Sequence, residues 1–96
     1  MDIQTLLQTQ RDEILELAAK HGASNVRIFG SAARGETGPD SDIDLLVEFD
    51  ENRSLFDHVA LIQDLEELLR HPVDVVTDNS LHWYIRDRVL EEAVAL

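Results

Sequence analysis

Apolar residues set the outline of the chain. Ile3, Leu6, Leu7, Ile14, Leu17 and Ala18 recur at helical spacing, with Gln10 in the middle turn, and predict one amphipathic helix that Gly22 stops. Val26-Arg27-Ile28-Phe29 reads as a strand of β-forming residues. Residues 30–40 hold three glycines and Pro39 and predict a loop, with one helical turn at Ser31-Ala32-Ala33-Arg34. Residues 42–49 predict a second strand centred on Leu45-Leu46-Val47. Ser54 and Asp57 form a capping-box pattern, opening a helix whose inner stripe is Leu55, Val59, Ile62, Leu65, Leu68 and Leu69. Pro72 starts a third strand that runs to Thr77. Asn79 or Ser80 caps a last helix reaching about Glu92, with Leu81, Tyr84, Ile85 and Val89 facing in. Residues 93–96 fit either a continuation of that helix or an edge strand. The order helix, strand, strand, helix, strand, helix predicts an α/β (α+β) fold, a small mixed sheet covered by helices.

Composition narrows the class. Ninety-six residues, 44% of them hydrophobic, predict a single globular domain spanning residues 1–96 rather than a disordered chain. Absence of cysteine excludes disulfides and thiolate metal sites and fits a cytoplasmic protein. The opening Met1-Asp2-Ile3-Gln4 is not a basic start followed by an apolar run, so no signal peptide is expected. No apolar stretch is long enough to cross a membrane. A formal net charge of −12 repels phosphate backbones, which argues against direct nucleic-acid binding. It suits a metal cation or a basic protein partner, and it also serves solubility alone.

Three carboxylates carry the candidate chemistry. Asp42 and Asp44 stand two apart on a predicted strand, so they share a face with Cα atoms about 6.5–7 Å apart. Carboxylates so close repel one another unless a cation intervenes, and hard oxygen ligands suit Mg²⁺ or Mn²⁺. Solvated acids at a strand edge have the same pattern. Asp74 sits between Val73 and Val75, where a charge is costly unless it faces a polar site. If the third strand neighbours the second, Asp74 shares the face and the metals. Upstream, Phe29-Gly30-Ser31 ends a strand in a turn. Gly30 lets backbone approach a ligand, and a following helical turn aims N–H groups and the Ser31 hydroxyl at an anion. A simple turn is the plainer reading.

Together these strings are specific. Phe29-Gly30-Ser31-Ala32-Ala33-Arg34-Gly35-Glu36, ten residues (32–41) between Ser31 and Asp42, and Ser41-Asp42-Ile43-Asp44-Leu45-Leu46-Val47 resemble the DNA polymerase β-like nucleotidyltransferase superfamily. The chain looks most like its minimal nucleotidyltransferase (MNT) branch, and Pro72-Val73-Asp74-Val75-Val76-Thr77 looks like that family's third-carboxylate strand. The resemblance implies a polymerase β-like fold and transfer of a nucleoside monophosphate, with ATP or another nucleoside triphosphate as donor. It implies that Gly30 and Ser31 hold the triphosphate and that Asp42 and Asp44 bind two Mg²⁺ ions. Asp74 would bind the acceptor-side metal and help deprotonate the attacking hydroxyl. Arg34 either contacts phosphate or makes a surface pair with Glu36 or Asp40.

The resemblance also implies a context. MNT chains pair with HEPN-domain ribonuclease toxins and act as antitoxins by transferring AMP to a toxin tyrosine. The rival expectation is a non-catalytic antitoxin that neutralises its partner by contact. Larger superfamily members add a domain that holds nucleoside and acceptor, so a partner is expected to complete the site. His21, His58, His71 and His82 lack helical zinc spacing and are not expected to bind metal. Asp40, after Pro39, is expected to shape a turn. Of Trp83 and Tyr84, one is expected in the core; for the other, ordinary half-exposure is the plainer reading and an interface anchor the alternative.

Overall fold

The computed structural model describes residues 2–36 and 41–96. Helices α1 (Ile3–Thr9) and α2 (Arg11–Lys20) lead into strand β1 (Ala23–Phe29) and helix α3 (Gly30–Arg34). Strand β2 (Ile43–Phe49), helix α4 (Leu55–Leu69) and strand β3 (Val73–Thr77) follow. A single 3-10 turn, Asp78–Ser80, then precedes helix α5 (Trp83–Glu92) and the short strand β4 (Val94–Ala95). The four strands form one sheet in the order β3-β2-β1-β4. β1 runs antiparallel to β2 and β4, whereas β2 and β3 are parallel. A parallel pair needs a crossover, and α4 supplies it.

The strands' period of two sorts the sheet into two faces. Ile43, Leu45 and Val47 of β2 join Val73 and Val75 of β3 in one apolar cluster with Ile14 and Ala18 of α2 and Leu61, Leu65 and Leu69 of α4. In β1 the phase slips at a bulge between Ser24 and Arg27, where Asn25 takes φ 49, so that Ala23, Val26 and Ile28 are all buried. The other face carries Asp44, Leu46 and Glu48. Leu46 is fully buried there and, with Val89 of α5, lies outside the main cluster. The predicted mixed sheet under helices is therefore observed.

Several expectations need correction. The first helix is divided at Gln10, although hydrogen bonds from Gln10 to Leu6 and from Ile14 to Gln10 keep the apolar stripe continuous. Strand β2 starts one residue after Asp42. The capping box of Ser54 and Asp57 opens α4 as expected, but Leu55 and Val59 are exposed and Leu61, Leu65 and Leu69 form the buried stripe. That i, i+4 row packs against the sheet, and in the first turns it is His58, rather than Leu55 or Val59, that faces β3. Asn79 and Ser80 belong to the 3-10 turn, and the α5 cap is His82, whose Nδ1 accepts from the Tyr84 N–H at 3.1 Å. On α5 only Val89 is buried, while Tyr84 and Ile85 face outward and Leu81 before it is half-buried. Trp83 and Tyr84 are both exposed, so neither is core. The four C-terminal residues resolve as an edge: β4 pairs with β1, and Leu96 is buried with its N–H on the Val26 carbonyl.

Candidate active site

Register brings the distant motifs together. Asp44 lies opposite Phe29 on β1 and opposite Asp74 on β3. Because β2 and β3 are parallel neighbours in register, the two aspartates stand side by side on one face. Gly30 follows Phe29 directly and turns the chain into α3. Its φ is +68, and a Cβ placed there would meet Asp44 Oδ2 at 2.6 Å. Glycine is therefore required twice over, for the left-handed backbone and for the close approach of the turn to a carboxylate. Ser31 is half-buried in the first turn of α3, a position where helix N–H groups have no intrahelical acceptor.

Asp44 is half-buried and its pKa is raised. Burial is the main cause, followed by the charges of Asp74 and then Asp42, while Arg34 pulls the other way. Asp42 and Asp74 are thus both within electrostatic reach of Asp44, although both are exposed. Among the described residues no three His, Asp or Glu side chains converge closely enough to enclose an ion by themselves. The donor set nonetheless fits a divalent cation in chemistry: hard carboxylate oxygens, one of them held in a place that disfavours its negative charge.

Arg34 closes α3. Its Nε donates to Glu36 Oε2 at 3.0 Å and its Nη1 to Glu92 Oε1 at 2.9 Å. The expected Glu36 pair is present, and the alternative with Asp40 falls outside the described residues. Glu92 was not foreseen, since a partner 58 residues away leaves no local pattern. The histidines have other work: His21 pairs with Asp64 at 2.7 Å, and His58 Nε2 lies 2.6 Å from the Val75 carbonyl. A cleft of about 700 Å³, lined by Glu48, Asp50, Thr77, Asp78 and Arg86 among others, lies at the far end of β2 and β3 from Asp44.

A Gly-Ser turn leading from a strand into a short helix, set against carboxylates on two neighbouring strands, is the layout of a nucleotidyl-transfer domain. Residues 8–96 match the profile described as nucleotidyltransferase domain, and the chain belongs to that family. It is 51% identical over 82 residues to a Methanocaldococcus jannaschii chain whose name marks it as a candidate protein adenylyltransferase, covering 85% of this chain and 88% of that one. It is 39% identical over 93 residues to the protein adenylyltransferase MntA of Thermococcus cleftensis, covering 97% and 91%. A solved structure described as a candidate minimal nucleotidyltransferase superposes with a TM-score of 0.90 at 49% identity, covering 100% of this chain and 97% of that one. A toxin–antitoxin complex solved with AMP-PNP shares the fold at a TM-score of 0.74, covering 88% and 69%, with 23% identity.

Proposed function

We propose that this nucleotidyltransferase moves AMP from ATP to a tyrosine hydroxyl of a HEPN-type ribonuclease toxin in the cytoplasm, and so acts as its antitoxin. The observation that carries this reading is the in-register pair of Asp44 and Asp74 with the Gly30 turn packed against the Asp44 carboxylate. Names of relatives supply the acceptor class, since two of them are named for adenylyl transfer to protein. The bound AMP-PNP and the toxin–antitoxin pairing belong to a more distant protein of the same fold and supply the donor and the context.

Asp42, Asp44 and Asp74 are the residues that would hold divalent cations, Mg²⁺ or Mn²⁺. When bound, such ions would offset carboxylate repulsion and stabilise the attacking and leaving oxygens of the displacement. The chain's own groups do the rest. Gly30 admits the phosphates close to the backbone, and Ser31 and the first turn of α3 offer donors to them. Asp74, the exposed member of the pair, takes the proton of the attacking hydroxyl. The new bond joins that oxygen to the α-phosphorus, and the bond to the β-phosphate oxygen breaks to release pyrophosphate.

A partner also has somewhere to dock. Trp83 and Tyr84 on α5 are 78% and 76% exposed, and Leu55 and Phe56 on α4 are 74% and 86% exposed. Exposed aromatic side chains suit a protein interface, and the chain's net charge of −12 suits a basic partner. They also serve the second reading, in which binding alone silences the toxin. Mixing the chain, Mg·ATP and the HEPN protein separates the two. Mass spectrometry is expected to show an AMP adduct on a toxin tyrosine, lost with Asp42→Asn. A toxin silenced equally by Asp42→Asn, with its mass unchanged, would establish inhibition by contact.

A further inference from the structure

Beyond the Gly-Ser turn and the carboxylates, one side chain from the last helix reaches the site. Glu92 ends α5, and its Oε1 accepts from Arg34 Nη1 at 2.9 Å. Arg34 in turn stands at the end of the helix that Gly30 opens, and its charge acts on Asp44. Among the described residues Arg34 has two such contacts, and they differ in firmness. Glu36 is two residues away, just beyond Gly35, and its side chain is 63% exposed. Glu92 is 32% exposed and sits between Val89, which is buried, and β4, which is paired into the sheet. Helix α5 thus anchors one end of the bridge to the sheet itself.

We propose that Glu92 is a positioning residue: it holds the Arg34 guanidinium in one orientation beside Asp44, so that a triphosphate arriving at α3 meets an ordered arginine. This rests on the nucleotidyl-transfer reading above. Arginine has five N–H donors in a planar fork, and the bonds to Glu36 and Glu92 engage Nε on one side and Nη1 at one tip. The remaining donors keep a fixed direction only while the fork is held. Without Glu92, the side chain must be ordered at the moment of binding, and immobilising one long side chain weakens binding by about three- to tenfold. A different role for the same contact, in which Glu92 merely cancels the arginine's charge, has the opposite sign. Removing it would then strengthen binding of an anionic nucleotide.

Calorimetric titration of Mg·ATP into the whole chain distinguishes the two. Glu92→Gln keeps an oxygen acceptor and loses a charge, so it is expected to bind as tightly as the unaltered chain or more tightly. Glu92→Ala is expected to lose about three- to tenfold. Glu92→Asp, one methylene short, is expected to lose affinity also, and it stands in if the alanine variant does not fold. Arg34→Ala with Glu92→Ala is expected to bind no more weakly than Arg34→Ala alone, since the glutamate acts through the arginine. Affinity at or above that of the unaltered chain in Glu92→Ala, or additive losses in the double variant, overturns the proposal. An unaltered chain that binds no Mg·ATP overturns the nucleotidyl-transfer reading itself.

Discussion

Gly30→Ala is the sharpest probe of the site. A methyl at this position would lie 2.6 Å from Asp44 Oδ2, whereas ordinary contact begins near 3.4 Å. Either the turn or the carboxylate must shift by about 0.8 Å, the gap between those distances. In addition, alanine at φ +68 bears the left-handed backbone penalty of about 1–2 kcal/mol. For a domain of this size each kcal/mol lowers Tm by about 4–8 °C. Displacing a reacting group by about 1 Å costs on the order of 10²-fold in rate. Gly35→Ala is the matched control. It has φ +72, so the backbone penalty is alike, but its methyl would meet only the flexible Gln4 Nε2 at 3.2 Å. Both variants are expected to melt several degrees lower, by calorimetry. Only Gly30→Ala is expected to lose about 10²-fold in AMP transfer to the HEPN protein, followed by mass spectrometry. Equal transfer rates in the two variants would refute the reasoning that Gly30 is needed for its approach to Asp44.

Three further predictions concern stability. The raised pKa of Asp44 comes first from burial and then from Asp74 and Asp42, so the folded chain holds this proton at a pH where the unfolded chain has released it. Stability therefore falls as pH rises from the ordinary aspartate range through the raised value, and the ionised group is a net cost at neutral pH. Asp44→Asn is expected to have the higher urea midpoint at pH 7 in the absence of metal, the difference closing in acid; a lower midpoint at pH 7 would contradict the assignment. Leu61→Ala, at a fully buried position, is expected to cost about 2–5 kcal/mol. Phe56→Ala, at 86% exposure, is expected to stay within about 0.5 kcal/mol, read from denaturant titrations.

The sequence by itself determined most of the elements and the identity of the motifs. Periodicity located the strands to within a few residues, Ser54 and Asp57 marked the start of α4, and glycine after the second helix marked its end, because these signals are local in origin. Gly30, Ser31, Asp42 and Asp44 could be picked out together because they lie on two short segments with a characteristic gap. Tertiary structure alone decided which strands are neighbours. That Asp74 stands beside Asp44 follows from parallel pairing of β2 and β3, and pairing depends on how α4 crosses over, not on any residue near Asp74. Facing was likewise undetermined: Leu55, Val59, Tyr84 and Ile85 fit an inner stripe by spacing, yet they project where no layer covers them. Spacing gives a helix its apolar side, but burial requires a second surface, and that surface exists only once the sheet is assembled. The bridge from Glu92 to Arg34 belongs to the same class, since it joins residues that share no segment and meet only in the assembled fold.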